Sequence, residues 1–461
     1  MKRWVLALGL SIVAASVAAF SILSRQPPKS LQQQQQAVAL PAKRLSEDLY
    51  YMQQRLWRFH SDPQINSRKL GWVQLPESGA DNSKTLPQER SLGEAAYVGP
   101  AACAECHQEN YEGYIETAHY STSRPAERES ILGSFEDRKN LMKTTDDRLS
   151  FLMEARGDGC YQTALVQRGE QVYAHSERID LITGSGNHGQ SYLYWDEDDR
   201  LYELPVSYFK SSASWINSPG YKDGTADFAR PIRPRCLECH STFFENIPST
   251  RNKYVRDNFI LGVSCEKCHG PGSEHAAHHR QNLAASEAQF IVHPGNLERD
   301  RMNEVCAQCH SGAGKPLKEP FSYRPGKHLE EYIELDHAGT GARQGVHTAN
   351  QLARLTKSRC YSESPDMACV TCHDPHQNEH GRVDLFSQRC QKCHEAAQCA
   401  ECVKDPVHAV QNCIDCHMPT EAVQSIEMET RGGIESPQMR DHFIRILPGS
   451  GDSPHGGNLQ K

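Results

Sequence analysis

The sequence predicts a single body that folds around covalently attached prosthetic groups and carries a small antiparallel β subdomain. Three observations favour this fold. The pattern C-x-x-C-H occurs seven times between residues 103 and 417. Only 38% of the 461 residues are hydrophobic and the mean hydropathy is −0.67, so aliphatic side chains alone would build a thin core. Apolar and polar residues alternate between residues 151 and 205, as they do in antiparallel strands.

The repeated pattern is the attachment signature of c-type haem. Two thiols at this spacing can bond to one edge of a haem, and the imidazole that follows becomes the proximal iron ligand. The attachment cysteines are Cys103, Cys106, Cys236, Cys239, Cys265, Cys268, Cys306, Cys309, Cys369, Cys372, Cys390, Cys393, Cys413 and Cys416. The proximal histidines are His107, His240, His269, His310, His373, His394 and His417. The sequence therefore predicts seven covalently attached haem c groups.

Neither composition nor zinc binding accounts for this repetition. Random placement of the 18 cysteines and 23 histidines would produce roughly 0.03 such patterns. A string of zinc knuckles would need facing pairs of cysteines, and zinc sites do not fix a histidine directly after every second cysteine. Haem attachment is the interpretation that fits the motif.

Residues 1–25 predict either a signal peptide or an N-terminal membrane anchor. Lys2 and Arg3 precede an apolar run over residues 4–23, and small residues at 17–19 form a tolerable cleavage site. A run of about twenty apolar residues can also span a bilayer, so both alternatives stay open. Either one places the body in the periplasm or otherwise outside the cytoplasm, where haem attachment and thiol oxidation can occur.

Motif spacing and composition divide the rest of the chain into six parts. These are a polar tether with one helix over Leu45 to His60 (26–95), the first haem site (96–150), a small β subdomain (151–230), haem sites two to four (231–330), haem sites five to seven with a C-terminal distal histidine (331–447), and a flexible tail (448–461). The β subdomain is predicted to contain a hairpin that turns at residues 196–199 and to cover one face of the haem stack.

Seven further histidines are candidates for the distal side of the irons. They are His119, His188, His275, His347, His376, His408 and His442. His119 lies twelve residues after His107, about 18 Å along a helix, so we expect it to cap a neighbouring iron. His376 follows His373 by one turn, so we expect the same of it. Asp405 or Asp441 is expected to accept a hydrogen bond from a distal imidazole.

Four cysteines lie outside the attachment motifs: Cys160, Cys360, Cys399 and Cys402. In Cys399-Ala-Glu-Cys402-Val403 a valine replaces the expected histidine, which disfavours an eighth haem there. A disulfide is the simpler interpretation in an oxidising compartment, with Cys360 and Cys399 as the preferred pair. A redox-active pair formed by Cys399 and Cys402 is the weaker alternative.

Four elements around the haem sites carry a family resemblance: Tyr97-Val-Gly-Pro-Ala-Ala-Cys-Ala-Glu-Cys-His107 with His119, Cys268-His-Gly-Pro-Gly-Ser-Glu-His275, Cys372-His-Asp-Pro-His376, and Cys416-His-Met-Pro419 with Asp441-His442. They resemble multihaem cytochromes c of the cytochrome c-554 and hydroxylamine oxidoreductase superfamily over about residues 96–445. The resemblance implies a mainly α-helical fold with long loops, wrapped around haems in parallel stacks and perpendicular pairs. It also implies mainly bis-histidine ligation by the seven distal candidates.

The sequence departs from two enzyme groups within that superfamily. It contains no C-x-x-C-K site, so it lacks the motif for the lysine-ligated catalytic haem of the pentahaem nitrite reductases. It has one attachment site fewer than the octahaem oxidoreductases, and no tyrosine can be matched to their cross-linked haem. We therefore assign no catalytic residue.

These observations favour an electron carrier that passes single electrons between redox proteins or from a membrane quinol-linked donor. Bis-histidine ligation leaves no open iron position for a substrate. The alternative is an oxidoreductase that acts on a small nitrogen or sulfur compound at one five-coordinate haem, where a group such as Lys210 could donate protons. A third hypothesis is a scaffold within a larger respiratory complex. The formal net charge of −8 disfavours nucleic acid as a partner.

Overall fold

A computed structural model describes residues 96–157, 159–169, 171–335 and 346–447, together with five short strands nearer the N-terminus. These strands are β1 (Val38–Ala39), β2 (Arg44–Ser46), β3 (Leu49–Tyr50), β4 (Trp57–His60) and β5 (Gly71–Gln74). The predicted signal peptide or anchor at residues 1–25 and the predicted tail at 448–461 lie outside the described residues. Within the described ranges, none of the helices has the length and apolar character needed to cross a bilayer.

The mainly α-helical prediction is wrong, because the structure is 28% helix and 27% strand. Its helices are short: α1 (Pro100–Ala104), α2 (Gln108–Ile115), α3 (Pro234–His240), α4 (Cys265–His269), α5 (Ser273–Gln281), α6 (Arg299–His310), α7 (Gln351–Leu355), α8 (Arg359–Glu363), α9 (Cys369–Cys372), α10 (Val383–Cys390), α11 (Ala400–Lys404) and α12 (Cys413–His417). An attachment motif needs only one helical turn, so seven motifs do not require long helices.

Most of the strands lie between the first and third motifs. They are β6 (Ser123–Pro125), β7 (Leu141–Lys143), β8 (Leu149–Arg156), β9 (Gly159–Arg168), β10 (Gln171–Ile179), β11 (Leu181–Thr183), β12 (Gly189–Trp195), β13 (Leu201–Glu203), β14 (Val206–Phe209), β15 (Ser214–Asn217), β16 (Ala226–Asp227), β17 (Arg230–Pro231), β18 (Ser241–Asn246) and β19 (Tyr254–Leu261). Later strands form short antiparallel pairs: β20 (Lys315–Pro316) with β21 (Ile333–Glu334), β22 (Thr420–Ala422) with β25 (Gln438–Arg440), and β23 (Met428–Thr430) with β24 (Gly433–Glu435).

Two antiparallel sheets pack against each other over residues 123–231. One has the strand order β1-β10-β9-β8-β7, in which β1 alone runs parallel to its neighbour. The other has the order β15-β14-β12-β11-β6, with β13 and β17 attached beside β12. Phe151 and Val166 from the first sheet share one buried cluster with Tyr192 and Trp215 from the second. Each sheet buries one face, which explains the alternating residues in the sequence.

Strand pairing agrees with the predicted hairpin and disagrees with the predicted N-terminal helix. Strands β12 and β13 pair antiparallel on either side of the turn at 196–199, with Trp195 opposite Leu201. In the segment predicted as a helix, β2, β3 and β4 occupy three stretches between residues 44 and 60. Trp57 and Phe59 lie in β4, which pairs with β5 and β16, so sheet pairing overrides the helical spacing of the apolar residues.

The second attachment motif is fixed directly to the sheets. Helix α3 runs without a break into β18, and Leu237 from this helix packs in a buried cluster with Leu181 and Leu201. The cluster also contains Phe244 and Tyr254 from the β18–β19 hairpin. The two-sheet body thereby positions site two, while the other six motifs lie on helical segments before and after it.

Candidate haem-binding sites

Each attachment motif forms a single helical turn. The backbone N–H of His107 donates to the Cys103 carbonyl at 2.9 Å, and that of His373 donates to the Cys369 carbonyl at 3.0 Å. This turn brings the two thiols to one side and places the imidazole one turn beyond the first cysteine. The eighteen cysteines all lie in the described part of the chain and all carry free thiols. The backbone therefore suits thioether attachment at every motif.

Four proximal imidazoles face a second imidazole at nearly constant distance. The ring centroids are 6.3 Å apart for His107 and His275, 6.3 Å for His119 and His310, 6.2 Å for His269 and His376, and 6.1 Å for His373 and His442. Two imidazoles on opposite sides of one metal, each with a metal–nitrogen bond of about 2 Å, have centroids roughly 6 Å apart. The gap between each pair therefore fits one haem iron.

Oxygen atoms near Nδ1 orient several of these rings. His269 and His275 face the carbonyl oxygens of Val292 and Gln289, each at 2.8 Å. Further oxygen partners of Nδ1 are Thr122 Oγ1 for His240 at 3.2 Å and the Arg445 carbonyl for His417 at 3.0 Å. A ring that donates from Nδ1 leaves the Nε2 lone pair for a metal, as in most histidine metal sites.

Two distal candidates are held in the neutral form that metal binding requires. Burial lowers the pKa of His119 to about 4, with further lowering by the neighbouring His310 and His373. Burial also lowers the pKa of His442 to about 4, with His373 as the next cause. A neutral imidazole has one ring nitrogen with a free lone pair, and a protonated imidazole has none. These two environments therefore suit iron ligation at neutral pH.

Three proximal histidines have no such ring partner. Within the described ranges, no second imidazole stacks on or edges against His240, His394 or His417. His240 is partly buried, and burial lowers its pKa. His394 lies at the surface. The four paired motifs are thus distinct from the remaining three.

The other three distal candidates occupy different surroundings. His188 lies near His380 and Lys210, which contribute to its lowered pKa after burial. His347 lies near His310, and its Nδ1 accepts a hydrogen bond from the Ala349 N–H at 2.8 Å. The His408 side chain is 80% exposed. Within the residues that the structure describes, none of these three pairs its ring with a proximal histidine.

The two aspartates predicted to orient imidazoles have different roles. Asp405 lies 3.2 Å from Nδ1 of His408, as expected. Asp441 instead accepts hydrogen bonds from Arg354 at 2.6–2.7 Å and from Arg445 at 2.6 Å. These partners hold the backbone on both sides of His442, whose Nδ1 faces the Arg440 carbonyl at 3.4 Å. Asp441 therefore positions His442 through the chain rather than through its ring.

Hydrogen bonds made by the attachment motifs and by the residues just before them join the seven sites into one continuous series. Motif three contacts motif one through Glu266, which accepts from the N–H groups of Val98 and Gly99 at 2.8 Å. The other links are Gln308 Nε2 to the Lys267 carbonyl at 3.3 Å (three to four), Cys309 Sγ to the Glu238 carbonyl at 3.6 Å (two to four), Asn303 Oδ1 to the Cys369 N–H at 3.0 Å (four to five), Arg389 Nη1 to the Cys372 carbonyl at 2.7 Å (five to six) and Ser387 Oγ to the Cys413 N–H at 2.9 Å (six to seven).

The series has the order one, three, four, five, six, seven, and site two branches from site four. Thiols of neighbouring motifs also lie side by side, namely Cys103 with Cys265, Cys239 with Cys309, and Cys306 with Cys369. Because each thiol would hold one edge of a haem, haems attached at these three junctions would have neighbouring edges.

Sequence reasoning missed several residues that build this arrangement. Glu266, Asn303 and Arg354 join segments that are far apart in sequence, and no local pattern identifies such contacts. The preferred disulfide between Cys360 and Cys399 is not formed. Cys399 lies beside Cys402 instead, and Cys360 lies near Cys393.

Sequence comparisons identify cytochromes among the proteins to which this chain is similar. The family described as cytochrome c554 and c-prime matches residues 207–270. Dissimilatory sulfite reductase MccA of Wolinella succinogenes is 22% identical over 83% of this chain and 61% of its own length. C-type polyheme cytochrome OmcC of Geobacter sulfurreducens is 26% identical over 40% of this chain and 26% of its own length. The chain thus spans about three fifths of one relative and about a quarter of the other.

Outer cell wall cytochrome OcwA superposes with a TM-score of 0.46 and 15% sequence identity, over 76% of this chain and 80% of that protein.

Proposed function

We propose that the chain is a multihaem cytochrome c that carries single electrons along seven covalently attached haems. The observation that carries this proposal is the unbroken series of contacts between motifs one, three, four, five, six and seven. Electron transfer needs closely spaced redox centres, and hydrogen bonds that tie the attachment turns to one another or to flanking residues support such spacing. Haem iron supplies the one-electron chemistry when it is bound.

The fourteen motif cysteines attach the haems, and the seven motif histidines are the proximal ligands. We propose His275 as the distal ligand at site one, His376 at site three, His119 at site four and His442 at site five. These assignments rest on the ring distances of 6.1–6.3 Å. Each distal histidine belongs to a segment that follows another motif, so ligation also locks neighbouring sites together.

We place this activity outside the cytoplasm, since residues 1–25 have the features of an export signal or anchor. The formal charge of −8 favours a redox partner with a basic docking surface, because opposite charges raise the rate of encounter.

Electron paramagnetic resonance on the oxidised protein tests the proposal, after intact-protein mass spectrometry has counted the haems. We expect seven haems per chain and low-spin signals from the four sites with paired imidazoles. We also expect rapid re-oxidation of the reduced protein by a basic electron acceptor such as a small cytochrome c. A haem count below seven, or a high-spin iron at one of the four paired sites, would contradict the proposal.

A second candidate function rests on site two. His240 is partly buried and has no imidazole ring partner among the described residues, so an iron held there would be open on its distal side. An open haem can bind a small sulfur or nitrogen compound, and the relative from Wolinella succinogenes is a sulfite reductase by name. Adding sulfite, nitrite or hydroxylamine separates the candidates. A changed high-spin signal together with substrate consumption would favour the enzyme, whereas an unchanged spectrum would favour the carrier.

A further inference from the structure

Cys399 and Cys402 lie outside the seven motifs, yet they adopt the same backbone turn. The N–H of Val403 donates to the Cys399 carbonyl at 3.0 Å, which reproduces the bond between His373 and Cys369 in site five. Cys399 immediately precedes α11, and Cys402 lies within it. Val403 occupies the position of a proximal histidine and its side chain is 63% exposed. The turn thus presents two thiols without an iron ligand.

The two thiols are adjacent and chemically unequal. Their side chains are hydrogen-bonded neighbours, Cys402 is 8% exposed, and Cys399 is more accessible. The backbone N–H of Cys402 stabilises the Cys399 thiolate and holds its pKa below the usual value. Burial raises the pKa of Cys402 to about 11. An accessible thiol of lowered pKa beside a buried thiol of raised pKa is the arrangement found in redox-active C-x-x-C pairs.

This pair lies beside site seven. The attachment thiols Cys413 and Cys416 are close enough for their charges to act on Cys402. Only a short linker joins α11 to α12. Within this linker the Ala409 N–H donates to the Asp405 carbonyl at 3.2 Å, which keeps the linker compact. Site seven ends the series of contacting motifs, so the dithiol lies at one end of the electron path.

We propose that Cys399 and Cys402 form a reversible disulfide that stores two electrons beside the haem of site seven. This inference rests on the proposed function, because the haem series supplies the electrons. The disulfide accepts two electrons, one at a time, from ferrous iron at site seven, which becomes ferric on each transfer. The sulfur–sulfur bond breaks, and each sulfur takes one proton from solvent. Loss of two electrons and two protons re-forms the bond.

An anaerobic reductive titration of the purified holoprotein with dithionite tests this proposal. Haem reduction is followed by absorbance, and the haem content is counted by intact mass. We expect the wild-type chain to take up about two electrons more than its haem count. The double variant Cys399→Ser with Cys402→Ser should take up as many electrons as it has haems. The matched control Cys360→Ser should retain the excess.

Alkylation of the wild-type protein gives a second measurement that does not depend on folding of a variant. Iodoacetamide added after anaerobic unfolding, followed by peptide mass analysis, should label Cys399 and Cys402 in the reduced protein and not in the oxidised protein. Three results would overturn the proposal: electron uptake equal to the haem count, loss of the excess in Cys360→Ser, or a haem found attached to Cys399 and Cys402. Failure of the haems themselves to cycle appears separately in the absorbance and would overturn the electron-carrier function.

Discussion

His373 and His442 illustrate the residue-level basis of the sites, because two distant segments supply rings that lie 6.1 Å apart and nearly parallel, at 21°. We predict that His442→Ala leaves the iron of site five with one protein ligand. That iron should become high-spin or bind added imidazole, because bis-histidine ligation is what keeps such an iron low-spin and closed. Electron paramagnetic resonance of the oxidised protein measures the change.

His408→Ala is the matched control for that variant. The His408 side chain is 80% exposed and contacts Asp405, so its removal should leave every low-spin signal in place. If His442→Ala kept the wild-type spectrum, or if His408→Ala produced the high-spin signal, the ligand assignment at site five would fail.

Asp441 supports His442 through a buried ionic network. Burial would raise its pKa, but hydrogen bonds from Arg354, the Phe443 N–H and Arg445 outweigh burial and lower the pKa to about 2 from an ordinary value of 3.8. A depressed carboxyl pKa stabilises the fold above pH 4, and this contribution is lost as the pH falls towards 2. We predict that Asp441→Asn lowers the free energy of unfolding at pH 7 by about 2 kcal/mol.

Chemical unfolding of both proteins between pH 7 and pH 2 tests this prediction. The stability difference between wild type and Asp441→Asn should shrink as the pH falls below 4, because wild-type Asp441 then becomes neutral too. A difference that stays constant across this range would contradict the role of the charge.

Single residues show what the sequence could and could not predict. The attachment cysteines and proximal histidines follow from local spacing, since haem attachment is a local covalent event. The candidate distal ligands could also be named, because they are the further histidines in the sequence around the attachment sites. Their partners could not, because His119 approaches His310 and His275 approaches His107 only after remote segments pack. Asp405 or Asp441 was expected to contact an imidazole, but Asp441 binds Arg354 from a distant segment and the nearby Arg445 instead.

At the level of elements, the attachment sites lie on short helical turns that hydrogen bonds join to one another, and not on the long helices of a mainly α-helical fold. Glu266 in α4 is 2% exposed and accepts hydrogen bonds from the N–H groups of Val98, Gly99 and Gly272 at 2.8–2.9 Å. It thereby fixes the start of α1 against the third motif. A buried carboxylate that satisfies three N–H groups leaves them without an acceptor when it is removed.

We predict that Glu266→Ala lowers the free energy of unfolding by about 3 kcal/mol, because three partly or fully buried N–H groups lose their acceptor. Glu274→Ala in α5 is the control, since Glu274 is exposed and its removal should change stability by less than about 0.5 kcal/mol. Urea unfolding followed by the haem absorbance measures both. Equal effects of the two variants would contradict the role given to Glu266.

Secondary structure was predicted correctly where apolar and polar residues alternate along the chain. It was predicted wrongly where the prediction relied on the family resemblance. The hairpin of β12 and β13 follows from alternating residues on either side of Asp196-Glu-Asp-Asp199. The mainly helical expectation came from the family resemblance, and the large two-sheet body between the first and second motifs overturns it. Helical spacing over residues 45–60 gave way to strand pairing by β4, which tertiary contacts decide.

For the whole molecule, the central claim is that seven attachment motifs form one contiguous electron path. Sites one, three, four, five, six and seven follow one another through direct hydrogen bonds, and site two joins at site four. The two-sheet body holds site two through Leu237 and its buried neighbours. Because site two branches from site four, a second redox reaction at site two would not interrupt the series from site one to site seven.

Anomalous diffraction at the iron edge from crystals of the holoprotein tests this claim most directly, because it locates every iron. We predict seven irons per chain. Four should lie midway between the imidazole pairs, and the nearest neighbours should follow the order one, three, four, five, six, seven, with site two nearest site four. Fewer than seven irons, or an iron isolated from its predicted neighbours, would contradict the claim.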